Sequence, residues 1–157
     1  MEDRRGPEVV LVIGAAGGIG AAAFALVRAA APQMGRTGGG SIVLMSSAAG
    51  RIGLANHEAI AAAKAGVIGL TLSAAASYAA RGVRVNAVAP GLVRTPLSAR
   101  LVCNEASLKA SEALHALGRI GEPDEVASLI DWLLGPQRWV TGQVFGIDGG
   151  LGTVRSR

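Results

Sequence analysis

The sequence predicts an α/β domain in which about four parallel strands are covered by helices. Three observations lead there. Apolar runs rich in β-branched residues recur at 8–13, 41–46, 83–88 and 143–147, as suits strands buried on both faces. Stretches dominated by alanine and leucine, good helix formers, separate them. Glycine and proline punctuate the junctions, as in "GAAGGIG" after the first run and "PG" after the third. Strands that alternate with helices imply a parallel sheet with helices on both faces.

In chain order, "EVVLVI" at 8–13 is the first strand and "GAAGGIG" is the turn out of it. "AAAFALVRAAAPQM" has helical composition and is expected to run as far as the Pro32 region, where the ring removes a backbone donor. "GRTGGG" reads as a loop, "SIVLMSS" as the second buried strand, and residues 57–80 as a long alanine-rich helix. "GVRVNAVAPG" is a third strand that ends on a Pro-Gly turn. Residues 96–117 read as short helices, and "EPDEVASLIDWLL" as a helix opened by Pro123 with acids in its first turn. "GQVFGIDGG" supplies the last strand. No repeat or linker divides the 157 residues, so one domain over 1–157 is expected, with no room for a separate substrate domain.

Composition narrows the function classes. Half the chain is apolar, 17% is charged and 3% is aromatic, which fits a globular α/β core of Ala, Val, Leu and Ile and argues against disorder. The net charge is +4, yet the fifteen basic residues are scattered, with no run longer than Arg4-Arg5 and few rings to stack on bases. A nucleic-acid partner is therefore not expected. Cys103 is the sole cysteine, which excludes an internal disulfide and a cysteine-based metal site; a half-buried small side chain is the expectation for it. No metal site is expected. Each apolar run is interrupted by Gly, Pro, Arg or Lys, so no membrane span is expected. The charged N-terminus leads through a short apolar run into the glycine turn without a cleavage site, and a cytoplasmic location follows.

Gly14, Gly18 and Gly20 form a G-x-x-x-G-x-G turn between a strand and a helix. Glycines there let the backbone pass close to a pyrophosphate, and the helix start offers free N–H groups and a positive dipole end. A glycine-rich turn of this kind also serves packing alone; its place after the first buried strand favours a dinucleotide.

The segments "VIGAAGGIG", "SIVLMSSAAG", "AAAKAGVIGLT", "GVRVNAVAPGLVRTPL", "LGRIGEPDEVA" and "VTGQVFGIDGG" occur in that order. With them, the chain resembles the short-chain dehydrogenase/reductase family over nearly all of 8–152. The resemblance implies a shortened Rossmann-like sheet, hydride transfer between NAD or NADP and a small carbonyl or alcohol substrate, and a homo-oligomer formed through the helix around Lys64. It also implies a pyrophosphate turn at Gly14, Gly18, Ile19 and Gly20. Ser47 matches the serine that hydrogen-bonds the substrate oxygen, and Lys64 the lysine that holds the nicotinamide ribose and lowers the pKa of a catalytic tyrosine. Pro90, Gly91, Val93 and Thr95 match the turn at the nicotinamide carboxamide. Asn86 falls on a strand position of structural character.

Two departures stand out. The family's tyrosine belongs thirteen residues after Ser47 and four before Lys64, and both counts end on Ile60. Isoleucine moves no proton. His57 and Glu58 are the nearby alternatives, although the start of a helix accounts for both. Tyr78 lies fourteen residues beyond Lys64, about 21 Å along a helix, and cannot substitute. The second departure is the short stretch between Gly20 and Ser41, where at about 30 residues per βαβ unit roughly 70–80 residues of the family pattern are absent. The adenosine-ribose strand and a relay asparagine go with them, so this loss is expected to limit activity before Ile60 does, and NAD and NADP are not distinguished. The loop at 96–117 does not specify a substrate. The readings left standing are an impaired oxidoreductase, a non-catalytic oligomerisation partner or scaffold with weak nucleotide binding, and a shortened derivative without selected function. With the intervening units gone, the first strand is expected to lie beside the second.

Overall fold

The computed structural model describes residues 9–13, 19–136 and 139–154. Strands β1 (Val9–Ile13), β2 (Gly40–Met45), β3 (Val83–Pro90) and β4 (Val144–Ile147) form one sheet in the order β1-β2-β3-β4, with every neighbouring pair parallel. β1 does lie beside β2, in register from Val9 opposite Gly40 to Ile13 opposite Leu44. The strands match the apolar runs to within about two residues; position 8 of the first lies outside the described residues.

Helix α1 (Ile19–Arg36) joins β1 to β2, and α2 (Glu58–Tyr78) joins β2 to β3. The short helices α3 (Ala99–Val102) and α4 (Glu105–Leu114) precede α5 (Pro123–Leu134), which leads to β4. α1 does not stop near Pro32 as the sequence suggests; it runs through it to Arg36. Ala31 and Met34 on either side are fully buried, so packing against the sheet outweighs the hydrogen bond the ring removes. Gly39 N–H then closes the helix on Met34 O at 2.8 Å, with Gly38 and Gly39 both at positive φ.

Side-chain alternation along β2 and β3 builds two cores. Ile42, Leu44, Val83, Val85 and Ala87 face α1 and α2, where Val27, Met34, Val67 and Ala74 meet them. Val43 and Val88 face α5 and pack with Val126 and Leu133. Two buried polar residues on the α5 side serve structure. Arg84 donates to Leu133 O at 3.0 Å and Gly135 O at 3.3 Å, which places its charge at the negative end of α5. Asn86 donates to Val140 O at 3.1 Å and accepts from Gln143 N at 3.0 Å, pinning the approach to β4.

Two expectations are corrected. The helical span Glu58–Arg81 is 24 residues long with mean hydropathy 1.6, long and apolar enough to cross a membrane by length and composition. Lys64 and the glycines do not break it, because alanine dominates its remaining positions. In the fold it lies on the sheet and buries Val67, Thr71, Ala74 and Ala75. Cys103 is exposed at the end of α3, not half-buried, because that short helix turns none of its residues into the core.

Candidate active site

The carboxyl ends of β2, β3 and β4 deliver Ser46-Ser47, Pro90-Gly91 and Asp148 to one edge of the sheet, the edge at which open α/β sheets bind ligands. Ser47 caps a 3-10 turn at Ala48–Gly50, its Oγ accepting from Ala49 N at 3.2 Å. A hydroxyl used as an acceptor keeps its proton free to donate.

Three contacts seat this turn on α2 at Lys64. Ser46 Oγ donates to Lys64 O at 2.9 Å, and Lys64 Nζ donates to Met45 O at 3.0 Å. Gly50 lies so close that a Cβ there would stand 2.8 Å from Lys64 C and 2.9 Å from Ala65 N, which only glycine permits. The turn that Ser47 opens is thus seated on α2 at Lys64. Ser46 and Gly50, which hold it there, were not assigned a role from sequence; their contacts span more than a dozen residues and leave no local signal.

Partial burial of Lys64 disfavours its charged form and lowers its pKa. Ile60, one turn earlier on α2, is 45% exposed, an apolar side chain open to solvent where a proton donor was expected. His57 and Glu58 are exposed, and His57 Nδ1 stands 2.7 Å from Ala55 O, so it donates to its own loop. Tyr78 ends α2, with Arg81 stacked 5.8 Å over its ring.

Beyond β3 the turn at 90–95 is held on both sides. Leu92 N donates to His115 Nε2 at 3.1 Å, Arg94 N donates to Gly121 O at 2.9 Å, and Thr95 caps a 3-10 turn over Pro96–Ser98. Val93 O accepts from Ser98 Oγ at 2.6 Å, while among the described residues nothing accepts from Val93 N–H. Asn86 is buried in the sheet and belongs to the scaffold, as the sequence suggested. Ile19 and Gly20 open α1; Gly14 and Gly18 lie outside the described residues. Among the described residues no cluster of His, Cys, Asp or Glu forms a metal site.

Behind the turn lies a cavity of about 360 Å³ between His115, Arg119, Glu125 and Asp148. Arg119 grips Glu125 through two hydrogen bonds, of 2.6 and 2.9 Å. That guanidinium, with the Glu122 N–H, holds the Glu125 carboxyl down to about 2. A carboxylate whose folded pKa is depressed stabilises the fold above its ordinary range, near 4.5, and loses that contribution as pH falls toward 2. Glu125→Gln is expected to lower the urea midpoint modestly at pH 7, because the pair is exposed, and to flatten its acid dependence between about pH 4.5 and 2, so that the two proteins converge toward pH 2. An unchanged acid slope in the variant would contradict this.

Residues 20–152 match the enoyl-(acyl carrier protein) reductase family profile. The 3-oxoacyl-(acyl-carrier-protein) reductase of Thermotoga maritima is 43% identical over 129 residues, 82% of this chain and 52% of that protein. Among solved structures, a 4-hydroxyisoleucine dehydrogenase mutant complexed with NADH and succinate superposes with a TM-score of 0.86 at 27% identity, covering 94% of this chain and 69% of that one. The gluconate 5-dehydrogenase of Burkholderia cenocepacia in complex with NADP and tartrate gives 0.84 at 26% identity, covering 93% and 65%. The parallel sheet flanked by helices thus has its counterparts among dehydrogenases and reductases. The chain belongs to the short-chain dehydrogenase/reductase family, and it spans about half the length of the relatives it matches.

Proposed function

We propose that the chain is an NAD(P)-dependent oxidoreductase of the short-chain dehydrogenase/reductase type, acting between a carbonyl and an alcohol, impaired first by its short adenosine side and, once cofactor is bound, by the lack of a proton donor at Ile60. The observation that carries this reading is the seating of the Ser46–Gly50 turn on α2 at Lys64. The donor set suits a nicotinamide nucleoside. Lys64 spends one N–H on Met45 O and keeps two for a ribose diol, and Val93 N–H suits a carboxamide oxygen. The nicotinamide, when bound, supplies or accepts the hydride. Ser47 donates its hydroxyl proton to the substrate oxygen and orients it. Ile60 offers nothing to protonate that oxygen, and positioned acid–base catalysis is worth about 10²–10⁴-fold.

Fluorescence titration with NADH and NADPH tests the reading. Binding of either is expected, and Lys64→Met should weaken it by about 10- to 100-fold, the worth of hydrogen bonds from a charged donor. No binding by the unaltered protein would sink the proposal.

A second reading, a non-catalytic oligomerisation partner or scaffold in the cytoplasm, is favoured by the exposed Ile60 and by the small face of α2. Ala62, Ala65, Gly66 and Gly69 are exposed, and a Cβ built at Gly66 or Gly69 meets nothing within 4 Å. Such a surface allows two copies of the helix to approach closely, without nucleic acid or membrane as partner. Self-association is expected in light scattering, with Gly66→Leu shifting it toward monomer. A monodisperse monomer at high concentration would remove this reading.

A further inference from the structure

His115 is 4% exposed at the C-terminal end of α4, and both ring nitrogens are engaged by backbone. Nδ1 stands 2.7 Å from Ser111 O, a carbonyl that only accepts, so Nδ1 carries the hydrogen. Nε2 stands 3.1 Å from Leu92 N, an amide that only donates, so Nε2 is the acceptor. The two contacts fix one neutral tautomer. Gly91 makes room for it: a Cβ there would stand 2.5 Å from Nε2.

We propose that His115 is a pH-sensitive latch on the 91–95 turn, closed when its imidazole is neutral and opened by protonation. A second proton can go only to Nε2, and an Nε2–H facing the Leu92 N–H sets donor against donor. The Ser111 bond survives in both charge states, so the change falls on Leu92. Leu92 N–H is one of the bonds that hold the turn beside the unspent Val93 N–H.

The charged groups around the ring are already committed elsewhere. Asp148 accepts from Gly150 N and Gly152 N and faces Arg51 at 3.9 Å. Arg119 is paired with Glu125, and Arg94 with Glu122. On α4 itself, Glu112 lies three residues before His115 and touches it through its backbone carbonyl. Both direct partners of the imidazole are therefore backbone groups.

The latch stands on this geometry alone; its consequence for cofactor rests on the function proposed above. The experiment is a nitrogen-15 NMR titration of the whole protein from pH 8 to 5, following the His115 ring and the Leu92 amide together. The Nδ1–H tautomer is expected at pH 8. The Leu92 amide should move with the ring, and its exchange with solvent, corrected for intrinsic rate, should rise about five- to tenfold on protonation, the usual worth of one hydrogen bond.

His115→Gln offers a side-chain acceptor that does not titrate, and in it the Leu92 amide should stay still across the same range. An Nε2–H tautomer at pH 8, or a Leu92 amide indifferent to the ring, overturns the latch. So does a His115→Gln protein whose Leu92 amide still titrates. NADPH affinity measured across the same pH range separates the two readings: a moving Leu92 with constant, measurable affinity keeps the latch and removes the turn from the cofactor site.

Discussion

Gly50→Val is expected to destabilise the fold by about 1–3 kcal/mol, in the range of overpacking in a well-packed interior, and to separate Ser47 from Lys64 in the same step. The groups in the way are Lys64 C and Ala65 N, at 2.8 and 2.9 Å from the new Cβ, and both belong to the backbone of α2. A side chain can turn away; a helix backbone cannot. Relief therefore has to come from the serine turn, and moving it stretches the Ser46 bond to Lys64 O and the Lys64 bond to Met45 O together. Gly53→Val is the control, because a Cβ at Gly53 meets nothing within 4 Å, and it should lie within about 0.5 kcal/mol of the unaltered protein, as surface changes usually do. Urea midpoints of the two variants decide the matter. If they are equal, Gly50 is not what seats the turn.

That contact also marks how far the sequence could be read. The strands were legible because a parallel strand buried on both faces leaves an unbroken β-branched run, and the place of β1 beside β2 followed from the shortness of the link at α1. Ser47 and Lys64 were singled out by their spacing within the family pattern, and the seating of the serine turn on α2 is what the structure adds. The course of α1 through Pro32 was not legible, since local propensity argues for a stop there and the packing of Ala31 and Met34 overrules it. The same limit hid the seating of Gly50 on Lys64 and the bond from Leu92 to His115, which join residues 14 and 23 positions apart. Neither carries a periodic or compositional trace. The exposure of Cys103 was missed for a related reason: whether a small residue is buried depends on which side of a four-residue helix meets the core.

Ile60→Tyr is expected to raise kcat for carbonyl reduction by about 10², the lower bound of what a positioned proton donor contributes, provided cofactor is saturating. The substitution places a phenol one helical turn before Lys64, whose half-buried ammonium and bond to Met45 O fix the side of α2 on which the serine turn lies. A proton donor acts after the cofactor is bound, so the gain belongs in kcat, and the cofactor KM should not move. On the function proposed above, the rate at cofactor concentrations far below KM is expected to be low in both proteins, because the short link at α1 leaves out the family's adenosine-side contacts whatever stands at 60. The KM-against-kcat split therefore separates the two defects that activity alone would merge. Ile60→Phe, which supplies the ring without the hydroxyl, should show no gain. A rise shared by Tyr and Phe would assign the effect to packing at an exposed apolar position, and no rise with Tyr at saturation would place the limiting defect outside residue 60.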